Sequence, residues 1–539
     1  TTWTTGSRAG VSSRNEATGA VAAHVYETAG TYFVSLTITD GTSTASNSCT
    51  QIVVQDPDVV FAGTNTICVA ATSLPVAGAD GCPAGAMTAQ QPSFAAAIGS
   101  YATTGRRVLF RRGDIFGSTT SASITADGPG TIGAYGSGAP PVLSETAAAD
   151  ALDISSASTP TTVNDWRIMD LEINGNSVAT AGINALGGAT QITVLRLNIH
   201  HTNFGIELSH YVLDYWNQNG HPGHVIWEQI GVVDSVLSTF SNIAMYASAG
   251  RAAVMGNSMD TAPYQIVRLP QMYYGVISNN VLSGGGAGYT TLRIDGPAWC
   301  VDEPQTPTAC NHTNDSVPTL VTGAHGGYTD LVEVSDNLIA AAADVYMPVE
   351  MAPSNGNWDS RIRNVVFERN FVRGATSGVN ISSQDITARN NLIRLTGGGY
   401  HGVFVGLRSP GSVEPPPLRI SVYNNTFYAP GNLTGVVVDA LATDVTVRNN
   451  LAFAPNGAAA QMIDDAGATN LVATNNSADA QVIAASPLFA NGTGAMSLPS
   501  DFVPTGASYA IGTGAVVPVW SDLFLVPQTS TRDMGAVTH

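Results

Sequence analysis

Lysine is absent: all 21 basic residues of this 539-residue chain are arginine. Any mechanism that needs a lysine ammonium or its Schiff base is therefore closed to it. Charge of either sign is scarce, at 11% of residues, and what there is leans acidic, with 40 Asp and Glu leaving a formal net charge of −19. That balance excludes a surface built to neutralise nucleic-acid phosphates. No apolar run approaches the roughly 18 residues that span a bilayer. The sequence opens at Thr1 with no signal-sequence pattern, which reads as a mature or trimmed segment. Cysteine is limited to five residues. Cys68 with Cys82, and Cys300 with Cys310, each close a loop rich in Gly, Pro or polar residues, which predicts two short-range disulfides, leaves Cys49 odd, and points to an oxidising, extracellular or periplasmic compartment.

What the chain has instead is 44% hydrophobic residues and 56 glycines, with abundant Ala, Ser, Thr, Val and Asn. That composition favours packed strands and tight turns over solvated helices, so the fold class is all-β. Residues 1–56 carry strand alternation, clearest in Thr31–Asp40, where Tyr32, Val34, Leu36 and Ile38 share a face. His24-Val-Tyr26, Gly30-Thr-Tyr32 and Leu36-Thr-Ile-Thr-Asp40-Gly41, with Trp3 and Gly6 before them, resemble the polycystic-kidney-disease (PKD) type of immunoglobulin-like domain. The resemblance implies a small β-sandwich whose first strands lie before Thr1. The unpaired edge invites strand addition by a neighbouring chain. Residues 57–99 read as a linker and N-terminal cap.

An internal repeat follows. A β-branched run ends in Asn at Asn280, Asn337, Asn370, Asn391, Asn425, Asn450 and Asn476, in steps of 57, 33, 21, 34, 25 and 26 residues. A basic coil of 21–26 residues with insertions explains all six steps. Asn tolerates the left-handed backbone of a tight corner, and stacked Asn side chains can bond from coil to coil, which gives these residues a structural role. With the strand–Gly-corner–strand segments at Arg106–Asp114 and Ile132–Pro140, the pattern resembles the pectate-lyase-like superfamily of right-handed parallel β-helices over 100–500. Residues 501–539 resemble the closing segment of secreted members.

Each coil has a second strand in which side chains alternate inward and outward. Inward pairs Ile206/Leu208, Ile243/Met245, Val267/Leu269, Leu292/Ile294, Val349/Met351 and Val379/Ile381 leave Glu207, Ala244 with Tyr246, Arg268, Arg293 with Asp295, Glu350, and Asn380 with Ser382 facing out. Coils stack about 4.8 Å apart, so these residues form a row able to hold a polymer. Long loops at 210–223, 296–327, 352–360 and 409–417 are expected to wall a groove over the middle coils. Five histidines, His200, His201, His210, His221 and His224, lie in or beside the first loop, where Tyr215 and Trp216 can stack on sugars. His312, His325 and Trp299 belong to the largest.

Two chemistries fit the row. A glycoside hydrolase needs two carboxyls, for which Glu207, Asp295 and Glu350 are candidates. A polysaccharide lyase needs a group that neutralises a uronate carboxylate and a base, roles open to Arg268, Arg293, His210, Tyr246 and Tyr274. Trp216, Trp299, Asn380 and Arg408 complete the expected binding residues. The missing lysine departs from the Lys/Arg pattern of several β-helix lyases, and neither the Asp-Pro-His-Asp motif of mannuronan epimerases nor the Gly-His-Gly of polygalacturonases occurs. Calcium could be held by loop residues such as Asp302, Asp315 and Asp330; His221-Pro-Gly-His224 has a ligand-like spacing but no third ligand. The charge of −19 disfavours a polyanionic substrate unless Arg268, Arg293 and Arg408 make a local basic patch or calcium bridges the two. The sequence thus reads as a secreted enzyme that cleaves a polysaccharide, with no nucleic acid and no membrane span. Its rival is a filament, surface-layer or adhesive protein that self-assembles through the incomplete sheet, and a non-catalytic glycan binder would keep the aromatic groove alone.

Overall fold

A computed structural model describes residues 2–539 except 12, 40–42, 155–162, 186–188, 209–226, 297–328, 342–346, 354–361, 375, 397–400, 408–415, 458, 485–486, 493–495, 520 and 528–531. Among the described residues, 36 strands join one ladder, and every strand pair in it is parallel. This is the right-handed parallel β-helix. Its ladder begins at Thr66–Ala70, inside the stretch the sequence reads as linker and cap, and runs to Val472–Thr474. A typical coil has three short strands, as in Met245–Gly250, Ala253–Met255 and Ser258–Asp260, each paired with its counterpart one coil on. Inward side chains merge into one continuous apolar column from Ile67 to Val482. A short helix, Phe94–Tyr101, packs Phe94, Ala97 and Ile98 onto the start of that column, and a second, Asp479–Ala484, sets Val482 against its end.

The corner between the second and third strands carries the repeat. Eight asparagines, Asn257 and the seven of the sequence repeat, are stacked there. The backbone N–H and the Nδ2 of each donate to Oδ1 of the next, at 2.9–3.1 Å. Each Nδ2 also donates to a strand carbonyl, from Val232 for Asn257 to Val447 for Asn476. The left-handed residue of the corner is not this Asn but the one before it: Asn279, Asp336, Arg369, Asn390, Asn424, Asn449 and Asn475 all have positive φ. Turn geometry and ladder bonding, expected of one residue, are divided between two.

The N-terminal segment lies against the helix rather than in a closed sandwich. Gly30–Thr39 and Thr44–Val54 form an antiparallel hairpin that, among the described residues, pairs with no third strand and leaves Phe33, Leu36 and Ile38 exposed. Residues 3–27 form a strap across the second sheet. Trp3 packs on Leu195, Val233, Met255 and Val276. Arg8 Nε donates to Asp336 Oδ1 at 2.8 Å, and Arg14 pairs with Asp234. Although burial pushes the Asp336 carboxyl up, the guanidiniums of Arg369 and Arg8 hold it below the ordinary range. Under the strap is Glu333, whose two buried carboxyl oxygens have no hydrogen-bond partner among the described residues. Burial, and then the charge of Glu368, push its pKa well up. Gly19 crosses so close that a Cβ there would sit 2.4 Å from Glu333 Oε2. The C-terminal segment lies over the third sheet, where Phe502, Leu523 and Met534 pack on Phe371, Leu392 and Leu451. Cys68 and Cys82 are bonded, with Cα atoms 6.0 Å apart. Cys300 and Cys310 lie outside the described residues.

Two outcomes follow. Asn425→Ala would orphan the buried Asn391 N–H and Ala388 carbonyl, so chemical denaturation should show a loss of about 2–5 kcal/mol. Glu333 binds its proton more tightly folded than unfolded, so it stabilises at low pH and loses that contribution as pH rises above the ordinary carboxyl range. Glu333→Gln should therefore raise the melting temperature at pH 8 and not at pH 4.

Candidate functional site

The outward row of the first sheet is in register across nine coils. Asp153 pairs with Asn184, Asn184 with Glu207, Glu207 with Tyr246, Tyr246 with Arg268, Arg268 with Arg293, Arg293 with Glu350, Glu350 with Asn380, and Asn380 with Phe404. Each lies in an in–out–in triplet such as Ile206-Glu-Leu208 or Leu292-Arg-Ile294, whose flanking side chains are buried in the column. Asp153, Asn184, Tyr246, Arg293, Glu350 and Asn380 are themselves buried. One residue departs from the expected alternation: Ala244 belongs to the core, and Met245 with Ala247 flank Tyr246.

The row has two chemically different ends. In the middle coils, Arg268 Nε donates to Asp295 Oδ2 at 2.8 Å and Arg293 Nε donates to Asp295 Oδ1. Arg293 Nε also lies 3.5 Å from Glu350 Oε2. The Arg268 guanidinium covers the Tyr246 ring at 5.6 Å. Among the described residues the two guanidiniums are thus matched by two carboxylates, which offsets the basic patch expected of Arg268 and Arg293 with Arg408. Asp295 is buried with both oxygens held by arginines, an arrangement that orients the two guanidiniums.

Arg268, Arg293 and Glu350 floor a pocket of about 330 Å³, walled by three short corners that carry Asn242, Tyr264, Gln265, Tyr289 and Thr290. The corners are tied coil to coil: Tyr264 N–H donates to the Asn242 carbonyl at 3.3 Å, and Gly286 N–H to the Tyr264 carbonyl at 2.9 Å. Only glycine fits at 286, where a Cβ would meet the Pro263 oxygen at 1.7 Å. The stacking sets the Tyr264 and Tyr289 rings edge to face, 4.7 Å apart, each 39% exposed.

Toward the N-terminus the row turns acidic. Asn184 Nδ2 donates to Asp150 Oδ2 at 2.9 Å. Among the described residues, the buried Oδ1 atoms of Asp150, Asp153 and Asn184 have no hydrogen-bond partner. Burial, then the charge of Asp150, push Glu207 up to about 7 and Asp153 likewise to about 7. Burial also raises Asp150, but the Asn184 amide and an Ala181 hydrogen bond oppose it. Glu207 and Asp153 thus keep their protons to higher pH than ordinary carboxyls, while Asp150, also raised by burial, is the member whose ionised form receives hydrogen bonds, an asymmetry that acid–base catalysis uses.

The structure separates several residues that the sequence groups. Glu207 stands four rungs from Glu350, about 19 Å along the stack, so these two cannot flank one bond. Tyr274 is not in the row. It lies six residues beyond Arg268 on the strand Val267–Ser278, at the next corner with φ +49, under the Arg251 guanidinium. His200 belongs to the third sheet, its Nδ1 2.7 Å from His201 Nδ1 and its Nε2 3.2 Å from Glu172. Asp330, expected for calcium, has its oxygens taken by Arg363 and Asn364. Among the described residues no three His, Cys, Asp or Glu side chains converge as a metal site. His210, Trp216, Trp299 and Arg408, with Tyr215, His221, His224, Asp302, His312, Asp315 and His325, lie outside the described residues.

Sequence reasoning missed Asp150, Asp153, Asn184, Tyr264 and Tyr289. The signal for two was present, since Leu152-Asp-Ile154 and Ile183-Asn-Ala185 repeat the triplet read from Glu207 onward. Tyr264 and Tyr289 are 25 residues apart, the same one-coil step as Arg268 and Arg293.

No protein-family model and no curated protein matches the chain. Among solved structures it is similar to pectate lyase Pel9A, at 15% identity and a TM-score of 0.36, covering 88% of this chain and 97% of that one. It is similar to the alginate lyase AlyF-OU02 at 12% identity and a TM-score of 0.38, over 80% and 90%. A GH136 lacto-N-biosidase from Eubacterium ramulus is similar at 10% identity and a TM-score of 0.34, over 76% and 67%. At such values these likenesses choose no reaction, and the parallel β-helix rests on the strand register of the chain itself.

Proposed function

We propose that this chain is a glycoside hydrolase that cleaves an uncharged polysaccharide laid along the outward row, with Glu207 as general acid and Asp150 as general base. The observation that carries it is a difference within one acidic cluster: burial and the charge of Asp150 push Glu207 up to about 7, while the Asn184 amide donates to Asp150 and opposes the rise that burial imposes on it. Glu207 gives its proton to the glycosidic oxygen as the bond to the anomeric carbon breaks. Asp150 takes a proton from a water whose oxygen forms the new bond to that carbon. Exchange with solvent then returns both carboxyls to their starting states. The Asn184 amide stands between the two groups, which favours the wide spacing of an inverting pair over the roughly 5 Å of a retaining one.

The lyase reading is weaker on charge. Its neutralising arginines are already matched by Asp295 and Glu350, and the acidic cluster would repel a uronate chain. The Cys68–Cys82 bond supports a place outside the reducing cytosol. Among the described residues no helix is long and apolar enough to cross a membrane. A second property, self-association, is supported by the exposed apolar face of the Gly30–Val54 hairpin, since two strands alone are marginal in water. Concentration-dependent light scattering that disappears in Leu36→Ser/Ile38→Ser would bear it out.

Incubation with neutral polysaccharides should release reducing ends, and nuclear magnetic resonance of the first products should show inversion. Glu207→Gln should lower kcat by about 100-fold or more, with KM little changed, and Asp150→Asn should do the same. Because the acid must carry its proton, activity should fall as pH rises through about 7, the value burial imposes on Glu207. Unsaturated products from a uronate polymer, detected by ultraviolet absorbance, would instead establish the lyase.

A further inference from the structure

We infer that the pocket between Tyr264, Tyr289, Arg268, Arg293 and Glu350 is a separate binding subsite for an uncharged sugar ring, at least one full sugar away from the bond that is cleaved. The subsite role rests on the hydrolase reading, whereas the binding itself does not.

Register sets the separation. Glu207 is two rungs from Arg268 and three from Arg293, about 10–14 Å along the stack, too far for one pyranose ring to touch both ends. The pocket's 330 Å³ is at the lower end of small-molecule sites and suits one ring rather than a long segment. Its wall presents two half-exposed tyrosine rings held edge to face, apolar surfaces against which the C–H face of a sugar can pack. Among the described residues the guanidiniums of its floor are matched by the carboxylates of Asp295 and Glu350, so it offers fixed hydrogen-bonding groups of both signs. A uronate entering would bring a third carboxylate to two guanidiniums that already serve two. A neutral ring brings hydroxyls, which accept from guanidinium and donate to carboxylate alike. The ligand class is therefore neutral, since an acidic chain would have to compete with Asp295 and Glu350 for the same two guanidiniums. Preorganisation comes from the corners, whose backbone bonds and the packing at Gly286 fix both tyrosines before a ligand arrives.

The test uses the full chain carrying Glu207→Gln, titrated calorimetrically with neutral gluco-, xylo-, manno- and galacto-oligosaccharides of graded length and with oligogalacturonates. At least one neutral series should gain affinity about tenfold once it is long enough to reach the pocket, and the oligogalacturonates should show no such step. Tyr264→Ala/Tyr289→Ala should remove the step. Melting curves check that the double variant is folded, and Gln265→Ala, a milder change in the same wall, should reduce the step if it is not. With Glu207 intact, the double variant should raise KM for the polymer about tenfold and leave kcat on a short chromogenic glycoside unchanged. The inference is overturned if the folded double variant binds every series as its parent does, if no oligosaccharide binds, or if oligogalacturonates bind more tightly than all neutral chains. Hydrolysis that survives Glu207→Gln, with the tyrosine effects present, would sink the catalytic assignment and leave the subsite standing.

Discussion

The asparagine ladder is the constraint on which the molecule depends. A parallel β-helix turns a corner every few residues, and each corner leaves backbone groups that the strand ladders do not pair. From Asn257 to Asn476 one side chain per coil accepts two of these bonds from the coil before it and donates to a strand carbonyl. The bonds are short-range and directional, so they lock the coils into a single register. A coil out of step would leave several buried amides without partners, at about 1–3 kcal/mol each. Insertions between coils do not disturb this, because they leave at other corners.

Register has electrostatic consequences for the outward row. Polar residues placed a rung apart and largely out of water must either pair or give up charge. Both solutions occur on the same stripe. In the middle coils Arg268 and Arg293 close on Asp295 and Glu350, and charges cancel. Toward the N-terminus no cation is at hand among the described residues, and the carboxyls of Asp153 and Glu207 rise to about 7 instead. A surface that is acidic overall thus contains a neutral pocket beside a cluster of proton donors. The buried Glu333 beneath the strap is a third case, in which burial and the charge of Glu368 push the carboxyl well toward its neutral form.

Much of this was legible in the sequence, because a solenoid writes its geometry locally. A recurring Asn after a β-branched run announces one coil, and an apolar–polar–apolar triplet announces which side chain faces out. Glu207, Tyr246, Arg268, Arg293, Glu350 and Asn380 could be aligned without coordinates for that reason. The same rule reaches Asp153 and Asn184 when carried two coils further back. Tyr274, named as a candidate base without a place in the row, lies at a corner because Val267–Ser278 bends there. The sequence pattern located the left-handed residue one position late, because Asn at two successive positions serves two purposes.

By itself, the sequence determined the coil period, the all-β column and the identity of the outward residues, since these depend on neighbours within a few positions. Only the tertiary structure decided who pairs with whom across coils. Asp295 bridges two arginines from different coils, Asn184 reaches Asp150 thirty-four residues earlier, and Tyr264 meets Tyr289 through a glycine corner. Whether a carboxyl is charged, and whether an arginine is spent, depends on burial and on partners brought within a few ångströms by stacking. Those distances follow from the register of whole coils, which no local window of sequence contains.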